Sequence, residues 1–304
     1  SDRDSAPTHT LKYDASTQKY SLTLTDTNNT GVDIVCTSGS GISVSRNGNK
    51  YTFTSSSMIS SAVTLEYKKN ISLYGDEFLV WGNVGHQTMM TGVSDPVRFY
   101  AAFNTETNGT AKIVKSSEDG VISGISFKIT GNGVDRTVTT DASGVASVEL
   151  LPGTYSVTEQ TPNKYVPQQS QSITIVSGQT STVTFNNVLK RGGVKITKTA
   201  EDGLVSGIKF RLYGTSDSGA SVDEYATTNN SGVATFNDIL IGSYTLEEVD
   251  TATKYVTPTK QSVTVKWNEV TNASFYNKLK RGDVKVIKSA EDTFIEGHRF
   301  HLYG

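Results

Sequence analysis

RGGVKITKTAEDGLVSGIKFRLYG, Arg191–Gly214, decides how this chain folds, because it occurs three times. The first copy is GTAKIVKSSEDGVISGISFKITG, Gly109–Gly131. The third is RGDVKVIKSAEDTFIEGHRFHLYG, Arg281–Gly304. Each copy reads as an alternating apolar strand closed by a Lys, a turn carrying Glu-Asp, and a second strand entered through a Gly. The closing lysines are Lys115, Lys198 and Lys288, and they stand 83 and 90 positions apart. That is much farther than a solenoid repeat, so one period is a whole small domain.

The match continues downstream. TTDASGVASVELLPGTYSVTE (Thr139–Glu159) corresponds to TTNNSGVATFNDILIGSYTLEE (Thr227–Glu248). QSITIVSGQTSTVTFNNVLKRG (Gln171–Gly192) corresponds to QSVTVKWNEVTNASFYNKLKRG (Gln261–Gly282). Leu-Lys-Arg-Gly recurs at both junctions, a link so short that a stiff string of modules is expected. The expected modules are 108–190 and 191–280, with 281–304 as the start of a truncated third, so that the chain reads as a fragment.

Residues 1–107 are unlike the repeats. Strand-like runs fall at Tyr20–Thr25, Val32–Thr37, Ile42–Arg46, Tyr51–Ser55, Ala62–Tyr67, Glu77–Trp81 and Val97–Phe103. Turn signals at Thr27-Asn28-Asn29 and Asn47-Gly48-Asn49 separate them. About seven short strands in a hundred residues is the pattern of an Ig-like sandwich. Gly82–Pro96 reads as a long loop. The expected fold is therefore all-β, a tandem of Ig-like β-sandwich modules.

Composition agrees and excludes several functions. Thr, Ser, Val, Gly and Tyr abound, whereas Pro counts 6 and Met 3, as in stranded modules joined by tight turns. A net charge of −2 gives no basic field for nucleic acid. No apolar run is long enough to span a bilayer, so no membrane contact is expected within these residues. With one cysteine, Cys36, no internal disulfide can form, and a secreted β protein then needs another source of robustness.

Alternation places three polar residues on the wrong face of their strands. Lys115 follows Ala111 and Ile113 on one face, and Lys198 follows Val194 and Ile196. Glu159 follows Tyr155 and Val157, and Glu248 follows Tyr244 and Leu246. Asn187 follows Val183 and Phe185, and Asn277 follows Ala273 and Phe275. Lys112 and Lys195 have the opposite parity and are expected to face solvent. A lone buried amine is costly and either loses its charge or finds a partner. A neutral Lys amine could attack the Asn side-chain carbonyl while a protonated Glu polarises it and passes protons, releasing ammonia. The bland alternative has the lysines snorkelling from strand ends, the glutamates on the surface and the asparagines in turns.

YSVTEQTPNKY (Tyr155–Tyr165) and YTLEEVDTATKY (Tyr244–Tyr255) resemble the E-box of Gram-positive pilins and adhesins. With the opening Lys strand, the Gly before the second strand, the Gly-Val turn and the terminal Phe-x-Asn, the modules from 108 onward resemble collagen-adhesin B-type (CnaB, SpaA-like) domains. The resemblance implies Lys115 and Lys198 as amine donors, Glu159 and Glu248 as catalytic carboxylates, and Asn187 and Asn277 as acceptors. Lys288 has no Glu or Asn of its own copy in this sequence. The usual Ala-Pro of the E-box appears as Thr161-Pro162 in one copy and is absent from the other. The family's sortase-anchoring signal and pilin-motif lysine are not evident. Residues 1–107 are similar, through TLTDTNN and TGVSDPV, to sandwich modules that precede such repeats in clostridial-type surface proteins.

Other candidates carry less. Cys36 reads as a buried strand residue, with a thioester to Gln87 as the alternative. Asp33, Asp95, His86 and His9 form no metal-ligand spacing. His86-Gln87 reads as exposed loop, and Trp81 and Tyr100 as core or rim aromatics. The expected role is a stalk of a bacterial surface adhesin or pilus subunit, extracellular and tied to peptidoglycan through a sortase signal outside these residues. The alternative is an adhesin whose residues 1–107 bind a host glycan or protein while the repeats project it. No cofactor and no turnover enzyme activity are expected; isopeptide formation would be a single event.

Overall fold

The structure is a computed structural model that describes residues 6–36, 39–69, 77–86 and 97–304. All its regular elements are strands, and the chain divides into two compact units, Ser1–Val188 and Leu189–Gly304.

The first unit opens with β1 (Thr8–Asp14), β2 (Lys19–Thr25), β3 (Asp33–Val35), β4 (Ser43–Asn47), β5 (Lys50–Ser55), β6 (Val63–Lys69), β7 (Glu77–Val80), β8 (Asn83–His86) and β9 (Val97–Thr105). Seven of them form one ladder in the order β3-β6-β9-β1-β2-β5-β4, and β7 pairs with β8. β1 serves two partners: Thr8–Leu11 run parallel to β9, and Lys12–Asp14 run antiparallel to β2. The ladder folds over at this switch. Phe53 of β5 stacks on Phe103 of β9 with ring centroids 4.3 Å apart, although three strand spacings, about 14 Å, separate them along the ladder. Leu11, Tyr51, Phe53, Tyr67, Phe99 and Phe103 are buried between the two halves. This is a β-sandwich with an aromatic core.

Two strands differ from the sequence reading. β1 carries only Leu11 as a fully buried apolar residue, so its alternation is faint. β8 lies inside the stretch read as loop; it hairpins onto β7 through Trp81-Gly82, both at positive φ. The rest of the stretch read as loop lies outside the described residues.

The same unit continues with β10 (Gly109–Ser117), β11 (Ser126–Gly131), β12 (Val134–Thr139), β13 (Val145–Leu150), β14 (Gly153–Glu159), β15 (Gln171–Ile175) and β16 (Thr180–Asn187). They make a three-stranded sheet, β13-β10-β16, facing a four-stranded sheet, β12-β11-β14-β15. The second unit repeats this with β17 (Arg191–Ala200), β18 (Lys209–Thr215), β19 (Ser221–Thr227), β20 (Val233–Leu240), β21 (Gly242–Val249), β22 (Gln261–Val265) and β23 (Val270–Asn277), ordered β20-β17-β23 and β19-β18-β21-β22. In both, the first strand lies parallel to the last: Lys115 stands opposite Phe185, and Lys198 opposite Phe275.

Each repeat begins at a backbone approach that only glycine allows. A Cβ on Gly109 would sit 2.2 Å from the Val176 carbonyl oxygen, and one on Gly192 would sit 2.1 Å from that of Lys266. Inside the first unit the N-terminal sandwich and the repeat meet directly. Thr107 N donates to Ser177 Oγ at 3.0 Å, Gly178 N donates to Asn108 O at 3.0 Å, and Leu151 packs against the aromatic core. Arg281–Gly304 contain no strand, and Val284, Ile287, Phe294, Leu302 and Tyr303 are exposed there.

Candidate functional site

Strand alternation delivers three polar side chains into each repeat core. Lys115, Glu159 and Asn187 are 3%, 5% and 0% exposed; Lys198, Glu248 and Asn277 are 1%, 7% and 0% exposed. Lys195 is exposed, whereas Lys112 is half-buried. The lysine comes from the first strand and the asparagine from its parallel neighbour, while the glutamate reaches across from the opposing sheet. Register brings Glu159 beside Phe127 and Glu248 beside Phe210. Phe127 and Phe185 pack with ring centroids 4.9 Å apart, and Phe210 and Phe275 at 5.0 Å, so apolar rings line each site.

The polar contacts are few and repeat. Asn187 Nδ2 donates to Glu159 Oε1 at 2.6 Å, and Asn277 Nδ2 donates to Glu248 Oε1 at 2.8 Å. Lys198 Nζ lies 3.9 Å from Glu248 Oε2, with both side chains essentially inaccessible. Lys198 Nζ also donates to the Thr199 carbonyl at 2.5 Å, and Lys115 Nζ to that of Ser116. Four buried oxygens of the two triplets have no hydrogen-bond partner: Glu159 Oε2, Asn187 Oδ1, Glu248 Oε2 and Asn277 Oδ1. Burial pushes both lysine amines below their ordinary pKa, against the opposing pull of the neighbouring glutamate and of Asp119 or Asp202. The site thus pairs an amine biased toward its neutral, nucleophilic form with an amide whose carbonyl oxygen is free and whose nitrogen rests on a carboxyl group.

A family model for the SpaA prealbumin-like fold domain matches residues 100–189 and again 192–279. The chain belongs to this family. Its SpaA-like fold is shared by the solved structure of the Bacillus anthracis TIE protein. The Bacillus anthracis TIE protein is 20% identical, with a TM-score of 0.52 over 86% of this chain and 52% of that one. This chain thus spans about half of that protein's length. A streptococcal ancillary pilin is 20% identical over 78% of this chain and 80% of that one, with a TM-score of 0.27. The minor pilin of Streptococcus agalactiae is 14% identical over 59% of this chain and all of that one, with a TM-score of 0.30. No curated protein sequence matches the chain.

The remaining sequence candidates separate from the SpaA-like sites. Lys288 donates to the Ser289 carbonyl at 2.7 Å, the same local contact that Lys115 and Lys198 make, but no strand pairs with its segment. Cys36 is a correction: it is exposed, not buried, because β3 is a three-residue edge strand that ends at Val35. Gln87 and Asp95 lie outside the described residues, as does the His86 side chain. His9 is half-buried against Phe103, with centroids 5.4 Å apart, and Asp33 is exposed. Trp81 meets Tyr51, Phe53 and Tyr67 edge-on, and Tyr100 is half-buried. Among the described residues no three His, Cys, Asp or Glu gather as a metal site.

The sequence reading passed over a second polar cluster beside each site. Asp119 accepts Tyr165 Oη at 2.8 and 2.9 Å and Lys164 Nζ at 2.8 Å. Asp202 accepts Tyr255 Oη at 2.8 Å on both oxygens and Lys254 Nζ at 2.6 Å. The signal was present in the sequence, since Glu-Asp follows each buried lysine and Lys-Tyr follows each E-box glutamate.

Proposed function

We propose that residues 108–190 and 191–280 are self-locking shaft modules of a cell-surface adhesin or pilus subunit, each closed by a Lys–Asn isopeptide bond. The observation that carries this reading is the recurring buried Lys–Glu–Asn triplet in a protein with no disulfide. The glutamate oxygens divide the work: in the second repeat Oε1 holds the asparagine nitrogen, and unpartnered Oε2 faces the lysine amine at 3.9 Å. The neutral amine adds to the asparagine Cγ. The carboxyl group relays a proton from Nζ to Nδ2. The Cγ–Nδ2 bond breaks, ammonia leaves, and a Nζ–Cγ amide remains. No oxidant or cofactor is consumed, and each site reacts once.

The roles follow from position: Lys115 and Lys198 as nucleophiles, Asn187 and Asn277 as acceptors, Glu159 and Glu248 as proton carriers. Residues 1–107 form the module ahead of the shaft, and 281–304 repeat the opening sequence of the modules, Lys288 included. Surface exposure and attachment to peptidoglycan through a sorting signal outside these residues belong to the same reading.

Intact-mass spectrometry of the folded chain tests it. The expected mass is lighter than the sequence by two ammonia molecules, and a mass equal to the sequence would overturn the proposal. Glu159→Ala is expected to restore one ammonia and abolish the peptide joining Lys115 to Asn187, leaving the Lys198–Asn277 peptide intact.

A further inference from the structure

We propose that Asp119–Tyr165–Lys164, and its counterpart Asp202–Tyr255–Lys254, is a latch that closes the end of each module over the Lys–Glu–Asn triplet and positions it for reaction. This rests on the isopeptide reading above. Three strands supply the triplet; the latch ties together the segments that leave two of them, and backbone hydrogen bonds beside it hold the third. Asp119 sits in the turn after β10, four residues past Lys115. Tyr165 and Lys164 sit in the loop after β14, just past Glu159. The neighbouring turn residue, Glu118, donates its backbone N–H to the carbonyl of Asn187 at 2.9 Å; in the second repeat Glu201 does the same to Asn277. Val166 and Val256 then bond the carbonyls of Val188 and Lys278, the residues that follow those asparagines.

The geometry survives a change in chain length. Tyr165 lies six residues after Glu159, whereas Tyr255 lies seven after Glu248. Despite the extra residue, the tyrosine hydroxyl reaches the same aspartate at 2.8 Å. Both tyrosines are buried, 1% and 3% exposed, so their rings plug the sandwich end while their hydroxyls are held in place. A phenol that merely capped a loop would have no need of a shared, bifurcated carboxylate in both copies. The plug keeps water from the amine, which favours its neutral form.

Charge gives the latch a second effect. The carboxylates of Asp119 and Asp202 pull the pKa of their lysine amines upward, against the larger effect of burial. Lys164 and Lys254 neutralise those carboxylates directly. Charge pairing therefore keeps the anchor of the plug from counteracting the desolvation that the plug provides.

The test uses the full chain, refolded from denaturant after synthesis as inclusion bodies, with ammonia loss followed by mass and each module identified by its tryptic crosslink. Tyr165→Phe keeps the ring and removes the hydroxyl; it is expected to slow the Lys115–Asn187 reaction about tenfold, the scale of losing a hydrogen bond to a charged group. The Lys198–Asn277 reaction in the same molecule is expected to keep its rate, which controls for refolding. Lys164→Met, leaving Asp119 uncompensated, is expected to move the pH–rate midpoint of the Lys115–Asn187 reaction upward, and Asp119→Asn to move it downward. Unchanged rate and midpoint in all three variants, with both crosslinks forming in the parent, would overturn the latch alone. Absence of both crosslinks in the parent would overturn the isopeptide reading, and the latch with it.

Discussion

The N-terminal sandwich and the two repeats close in the same way but fill the closure differently. In all three the first strand runs parallel to the last: β1 on β9, β10 on β16, β17 on β23. His9 stands opposite Phe103 as Lys115 stands opposite Phe185 and Lys198 opposite Phe275. Two residues beyond each phenylalanine come Thr105, Asn187 and Asn277. In the N-terminal sandwich, buried Thr105 spends its hydroxyl on the carbonyls of Ile59 and Glu106, and aromatic stacking holds the halves together. The parallel closure is thus a property of the architecture. The buried Lys–Glu–Asn triplet is an addition to it: two residues on the closing strands with a carboxyl group opposite them.

The comparison breaks most clearly under force. In both repeats the chain enters along the strand holding the lysine and leaves just after the asparagine. Single-molecule stretching is expected to show one unfolding event, from residues 1–107, with the repeats silent. Lys198→Ala is expected to add one event, and no added event would mean that Lys198 carries no bond. Next in size is thermodynamic stability. Lys115→Met opens a closure between positions 72 residues apart. By the entropy of loops of that length it is expected to cost the module at 108–190 about 4 kcal/mol, measured by denaturant unfolding, with the N-terminal module unchanged.

Packing gives a smaller effect. Gly109→Ala drives a methyl into the Val176 carbonyl, and strain of this kind costs about 1–3 kcal/mol. Thermal unfolding is expected to locate the loss in the module at 108–190, and Gly192→Ala to do the same in the module at 191–280. The smallest effect is acid sensitivity. The hydrogen bond from Lys254 and that from Tyr255 hold Asp202 down to a pKa of about 2. A depressed carboxylate binds protons more readily in the unfolded chain, so its stabilisation is complete above the unfolded value of about 4 and fades as pH falls toward 2. Acid titration of the module at 191–280 is expected to lose this increment over that window, and Asp202→Asn to flatten it.

Much of this was legible because strand parity is strict. A period of two leaves no freedom over which face Lys115, Glu159 and Asn187 take, and duplication supplied a second reading of each. The N-terminal sandwich gave less. THTLKYD buries one apolar residue fully, so β1 has little pattern to read, and Gly85 within Asn83–His86 mimics a loop. Cys36 misled because burial of a lone cysteine is a tendency of the residue type, whereas its exposure here follows from the shortness and edge position of β3. The Asp–Tyr–Lys clusters escaped because they lie in turns, where no periodicity reports which side chains converge.

Parallel pairing of first and last strands also sets a clock. A chain made from its N-terminus exposes Lys115 long before Asn187 exists, and β16 is the last strand of its module to emerge. On the proposed chemistry, the amine waits beside a sheet that lacks one edge, and reaction becomes possible only when that edge is filled. Each finished bond would therefore record that its module was completed in order, and a module cut short or threaded wrongly would remain unsealed and open to proteases.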